Sequence, residues 1–156
     1  MKTWDEYAVP LVAAFEGCAK KRGAQIVPYL DKLAKPNVWT RGYGRTYGIT
    51  ETSLPITVDE AKVELGVGLR SYALACLKLA PRLALAPPSH AAVASWSWNC
   101  GVGAFRVSRL RRAINEGRWR DAAELIKRPR TAGGVELKGL VRRRDAESAL
   151  FQLIPE

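Results

Sequence analysis

Apolar residues recur every three or four positions at Trp4, Tyr7, Ala8, Leu11, Val12 and Phe15, which predicts a helix over Thr3–Gly17 with these side chains on one face. Thr3 is placed to cap it, Asp5 and Glu6 suit its positive first turn, and Gly17 stands where helices often end. Pro10 is expected to kink this helix or to begin a second short one. From Cys18 to about Ile56 the spacing changes. The β-formers Val38, Trp39, Thr40, Tyr43, Thr46, Tyr47 and Ile49 lie among Gly42, Gly44 and Gly48, which predicts a small antiparallel sheet with tight turns. Thr57-Val58-Asp59-Glu60 reads as a capping box ahead of a long helix that ends at about Ala80, before Pro81. Pro87 and Pro88 open a helix running through Trp98, and Gly101 and Gly103 break it. Further helices are expected at about 108–116, 118–127 and 138–151, with Gly117 and the Thr131–Gly134 loop as punctuation.

These elements imply an α+β, mostly helical chain forming a single domain over residues 1–156. A small lobe containing β-hairpins covers about 1–56, a connecting helix about 58–80, and a helical lobe about 81–156. A cleft between two such lobes is a natural substrate site. With 47% hydrophobic and 26% charged residues, the chain is too apolar to be disordered. The apolar stretch 72–86 contains Lys78, Pro81 and Arg82, which excludes it as a membrane span. The N-terminus, Met1-Lys2-Thr3-Trp4-Asp5-Glu6, does not read as a secretory signal, so synthesis as a soluble protein inside a cell is expected. Three separated cysteines, Cys18, Cys76 and Cys100, and the single histidine His90 give no clustered metal ligands. Free thiols are expected, with no metal and no cofactor.

The formal charge of +10 points to an acidic partner: nucleic acid, an anionic membrane, or an anionic polymer such as a cell wall. Residues 106–144 hold thirteen Lys or Arg against four Asp or Glu, nearly the whole excess. One reading is a solvated basic surface. The other is attraction to anionic wall or outer-membrane polymers that weakens with salt.

Glu16 follows Ala8 and Val12 at intervals of four and so continues the apolar face of its helix. Partial desolvation there would disfavour its ionised form, as a general acid requires. The spacing alone equally fits a solvated helix-end glutamate paired with Lys20 or Lys21. The neighbours add a second kind of information. Phe15-Glu16-Gly17, Tyr29-Leu30-Asp31 and Trp39-Thr40-Arg41-Gly42-Tyr43-Gly44 resemble the N-terminal signature of phage-type lysozymes, glycoside hydrolase family 24. Ala92 to Phe105 with Ser108 and Leu110, Asn115-Glu116-Gly117-Arg118-Trp119, Ala132-Gly133-Gly134, and Lys138 to Glu147 match the rest of that family in order and approximate spacing.

The resemblance implies a muramidase that cleaves the bond between N-acetylmuramic acid and N-acetylglucosamine in peptidoglycan. It implies Glu16 as the acid, Asp31 as the carboxylate partner and Thr40 as a hydroxyl that helps place the attacking water. Of Trp96 and Trp98, one is expected in the core and the other, Trp98, against sugar, with Asn99 and Ser108 bonding N-acetyl groups or serving as cap and turn residues. Two stretches depart from the family. Residues 19–25 read as an insertion and Leu33–Asn37 as a lengthened hairpin, both flanking Asp31, while Arg45 replaces a histidine and is read as structural support. A monomer that waits in the host cytoplasm until a holin opens the membrane is the corresponding expectation. The alternatives are a lytic transglycosylase, a nucleic-acid-binding module, for which no recognition motif is found, and a cationic protein that disrupts membranes through residues 138–151.

Overall fold

A computed structural model describes residues 1–18 and 20–153. Contacts divide the chain into two units, residues 12–68 and residues 69–156 together with 1–11, and the boundary falls inside two helices, α1 (Trp4–Glu16) and α2 (Val58–Leu79). The expectation of a mostly helical α+β chain holds.

Helix α1 continues through Pro10 as one element and does not split in two. Its first turn is tied to Thr3, whose N–H donates to Glu6 at 2.7 Å and whose hydroxyl donates to Asp5 at 2.5 Å. Ala8 and Val12 on its apolar face are fully buried, and that burial offsets the hydrogen bond Pro10 cannot donate.

In the unit of residues 12–68, two short hairpins follow α1. Strands β1 (Lys21–Arg22) and β2 (Gln25–Ile26) pair around Gly23, whose φ of 62° favours glycine. The stretch read as an insertion therefore folds on itself; Ala19 of that stretch lies outside the described residues. Strands β3 (Tyr29–Asp31) and β4 (Val38–Thr40) pair antiparallel with Tyr29 opposite Thr40, Leu30 opposite Trp39 and Asp31 opposite Val38. The expected strand character of Tyr43, Thr46, Tyr47 and Ile49 is not found. Arg41 and Arg45 exchange backbone bonds of 2.9 and 3.1 Å, so Gly42-Tyr43-Gly44 is the tip of a turn. Both glycines have positive φ, 66° and 97°, which ends the strand. Ile26 bridges Ile56, and Val12, Ile26, Ile49, Ala61 and Leu65 are the unit's buried apolar residues. The capping box before α2 is present: Thr57 N–H donates to Glu60 at 2.7 Å and Glu60 N–H to the Thr57 hydroxyl at 3.1 Å.

The helical unit is built around α3 (Pro87–Cys100), which follows a 3-10 turn at Pro81–Leu85. Every residue from Pro88 to Ser97 is buried, because Ala, Ser and Val let neighbouring helices approach on all sides. Helices α4 (Val102–Val107), α5 (Arg109–Asn115) and α6 (Trp119–Leu125) follow, then a hairpin of β5 (Thr131–Ala132) and β6 (Val135–Glu136), then α7 (Lys138–Phe151). The 102–107 helix and the 131–136 hairpin stand where breaks and a loop were expected. Trp96 is a core residue, 5% exposed, and its indole N–H donates to the Arg128 carbonyl at 2.6 Å. Cys18, Cys76 and Cys100 are free thiols, and burial pushes Cys76 up to about 11.

Two arginines of the basic stretch are not on its surface. Arg143 is 4% exposed and Arg144 and Glu147 are fully buried, with Arg143 Nε 3.2 Å from Glu147 Oε1 and Arg144 Nε 3.1 Å from Oε2. The second contact is an ion pair outside hydrogen-bonding alignment. The Ser95 hydroxyl donates to Glu147 at 2.7 Å. Burial pushes the Glu147 carboxyl up, while Arg144, the Ser95 hydroxyl and Arg143 pull it back.

Candidate active site

Three of the expected site residues lie in the unit of residues 12–68, and each is the last residue of its element: Glu16 of α1, Asp31 of β3 and Thr40 of β4. Element ends are where a side chain can be held by regular structure and still face outward. Strand alternation and register together put Tyr29, Asp31, Val38 and Thr40 on one face of the hairpin and Leu30 and Trp39 on the other. Asp31 and Thr40 are diagonal neighbours on that face, a relation that separates residues by about 7–8 Å. Thr40 is 3% exposed and its hydroxyl donates to the Val38 carbonyl at 3.4 Å, leaving its lone pairs as acceptors. Asp31 Oδ1 accepts from the backbone N–H of Leu33 at 2.9 Å and Ala34 at 3.4 Å. That is the turn role of an aspartate, and it fixes the carboxylate's orientation within the lengthened hairpin.

Glu16 is half-buried, and Gly17 with φ 58° ends its helix there. The chain then reaches the hairpin unit's turn. The Tyr43 hydroxyl lies near the Cys18 thiol, and Lys20 Nζ lies over the Tyr29 ring, 5.8 Å from its centroid. Burial pushes Cys18, Tyr29 and Tyr43 upward, so all three stay protonated near neutral pH. The Asp31 charge adds to the rise at Tyr29, as expected for residues sharing one strand face.

Beneath the turn, Glu64 of α2 accepts from two arginines through one oxygen, Arg41 Nη2 at 2.5 Å and Arg45 Nη1 at 2.7 Å. Arg41 Nη1 also donates to the Leu54 carbonyl at 2.6 Å, and Arg45 Nε to the Tyr47 carbonyl at 3.1 Å. Arg45 thus supports the turn, as its reading anticipated, while Arg41 and Glu64 were not singled out in the sequence. Gly42 packs directly on α2, where an added Cβ would lie 3.2 Å from the Ala61 side chain.

The other three candidates belong to the helical unit. Trp98 is half-buried and packs on Tyr72, ring centroids 5.1 Å apart. Asn99 is exposed, and its Oδ1 accepts from Arg144 Nη2 at 2.6 Å. Arginine offers only donors, so the Asn99 amide must present its NH2 outward. Ser108 caps α5, accepting from Arg111 N–H at 3.0 Å and donating to the Phe105 carbonyl at 2.8 Å.

The sequence profile of the phage lysozyme family matches residues 13–147. The chain belongs to the phage lysozyme family. It is 32% identical over 143 residues to an endolysin of Bacillus phage PZA, covering 92% of this chain and 52% of that protein, so it spans about half that relative's length. It is also 32% identical over 127 residues to a SAR-endolysin of Enterobacteria phage P21, covering 80% of this chain and 73% of that one. Among solved structures it resembles the muramidase domain of SpmX from Asticaccaulis excentricus, with a TM-score of 0.76 at 28% identity over 94% of this chain and 95% of that one.

Proposed function

We propose that this member of the phage lysozyme family is an endolysin whose residues 1–156 form one lysozyme-like domain, a muramidase that hydrolyses the β-1,4 bond between N-acetylmuramic acid and N-acetylglucosamine in peptidoglycan. One observation carries the reading: the hairpin register puts Asp31 and Thr40 on a single face, in the same unit as Glu16, a half-buried residue. Glu16 donates its proton to the leaving glycosidic oxygen as the C–O bond breaks. Asp31 and Thr40 hold the water that adds to the sugar, its hydrogen bonds divided between the carboxylate and the hydroxyl lone pairs. Trp98 supplies an aromatic face to a sugar ring, and the Asn99 NH2 meets an N-acetyl carbonyl. Ser108 keeps one lone pair free of its capping bonds to accept from an N-acetyl N–H. The exposed cations of residues 106–144 draw the monomeric enzyme to anionic wall polymers. Its place of action is the cell wall; no helix among the described residues is long and apolar enough to cross a membrane.

The test is Glu16→Gln assayed on purified peptidoglycan, reading the release of reducing ends. The rate is expected to fall by about 10²–10⁴-fold, the range that a general acid contributes, with an unchanged circular dichroism spectrum. Full activity in the variant would overturn the reading. Anhydro-muramic ends in the wild-type digest would reassign the chemistry to transglycosylation.

A further inference from the structure

Within the helical unit lies a concavity of about 780 Å³ lined by none of Glu16, Asp31, Thr40, Trp98, Asn99 or Ser108. Sites for small molecules run to about 300–1,000 Å³, so its size alone admits a ligand. Its floor is apolar. Trp119 and Phe151 meet there with ring centroids 5.8 Å apart and planes tilted by 41°. Leu85, 85% exposed, and Leu153, 52% exposed, also line it. One exposed leucine needs no explanation, but two beside the half-buried Trp119, with Phe151 beneath it, form an apolar patch.

The polar groups around this floor are unequally engaged. The Ser89 hydroxyl donates to the Phe151 carbonyl at 2.8 Å, and Gln152 Nε2 donates to the Ser148 carbonyl at 3.1 Å. The Glu124 carboxylate accepts from Lys127 Nζ at 2.9 and 3.1 Å. Arg82 and Arg120, the two cations of the lining, have no carboxylate partner among the described residues. Arg82 is exposed, and its guanidinium lies close to Gly117, where an added Cβ would come within 2.9 Å of Nη1. Cations without a carboxylate partner beside an apolar floor are complementary to a ligand with the same division.

We propose that this concavity binds the free monomer of a single-chain anionic amphiphile. Its chain lies over Trp119, Phe151, Leu85 and Leu153, and its anionic head group is held by Arg82 and Arg120. A concave floor encloses one chain, whereas engagement of a bilayer surface calls for a projecting apolar face. The inference is independent of the catalytic reading, since it shares no residue with it.

The experiment is calorimetric titration of the full chain with dodecyl phosphate below its micellar concentration, beside dodecyl maltoside and inorganic phosphate. Dodecyl phosphate is expected to saturate one site. The neutral amphiphile should bind about tenfold or more weakly, because it forgoes charge-assisted hydrogen bonds, and phosphate alone should give no heat of binding. Arg82→Gln with Arg120→Gln should bring dodecyl phosphate down to the neutral amphiphile's affinity at an unchanged melting temperature. Leu85→Asp should weaken both amphiphiles. Absence of saturation, several amphiphiles per chain, or full affinity in the double arginine variant would each overturn the proposal. So would binding seen only with phosphatidylglycerol vesicles, which would make the patch a membrane contact.

Discussion

Each unit of the chain holds a glutamate between two arginines, and the two clusters differ in their surroundings. In the hairpin unit, Glu64 takes Arg41 and Arg45 with 16% of its side chain exposed, and Arg45 is 42% exposed. In the helical unit, Glu147 takes Arg143 and Arg144 with no exposure of its own, and the Ser95 hydroxyl completes its coordination. The same three charges therefore do different work. Around Glu147 no water can replace a lost partner, so the cluster ties α3 to α7 through an all-or-none set of contacts. Around Glu64 water can step in, and the cluster's effect is on the placing of one turn. The fully buried cluster lies in the unit without the proposed acid, and the partly exposed one in the unit that carries it.

The sharpest way to break this contrast is Glu147→Ala. It leaves two buried guanidiniums without a counter-charge and is expected to cost about 3–5 kcal/mol by urea denaturation. Replacing Glu147, Arg143 and Arg144 together by leucine or methionine should recover most of that loss, and a triple variant as unstable as the single one would contradict this account. Glu64→Ala should cost less, about 1–2 kcal/mol, and should lower peptidoglycan hydrolysis by more than its stability loss explains, because the turn adjoining Thr40 is released. Equal activity per folded molecule would make the Glu64 cluster purely structural.

Arg45→Ala is the milder probe, with an expected cost of about 0–1 kcal/mol that shrinks further in high salt. The Glu147→Ala loss should be nearly unchanged by the same salt. The smallest effect concerns His90, whose Nε2 lies 2.8 Å from the Ala73 carbonyl and whose ring meets Trp4 at 5.6 Å. Burial lowers its pKa from the usual 6.5, with the Ala73 bond opposing. Below 6.5 the unfolded chain takes up a proton that the folded chain resists, so stability should fall as pH drops through that window. His90→Gln should flatten the slope between pH 7 and 5.5; an unchanged slope would assign it to other groups.

The sequence announced the long elements well. The capping box at Thr57–Glu60, the helix opened by Pro87 and the apolar face of α1 all come from local chemistry that a short window displays. What it concealed depended on distant partners. Pro10 predicts a kink or a second short helix, and α1 runs through it as one element with Ala8 and Val12 buried on either side. Tyr43 to Ile49 had β-propensity without a strand to pair with, so they became turns. Arg143 and Arg144 looked like surface charge, because nothing in the local pattern says that Ser95, far along the chain, helps to receive Glu147. The candidate site divides in the same way. Glu16, Asp31 and Thr40 came from motif order, while the Arg41–Glu64 pair that supports their turn joins residues too far apart for spacing to reveal.

Gly42 sets a clearance. Its Cβ position lies 3.2 Å from the Ala61 side chain, in a backbone conformation with φ 66°. A methyl group added there would act as a shim, parting the turn from α2 by a few tenths of an ångström two residues beyond Thr40. A bulkier residue at 61 would press on the same turn from below. The two positions therefore gauge a single gap, and a substitution at one is tolerated only as far as the other leaves room for it.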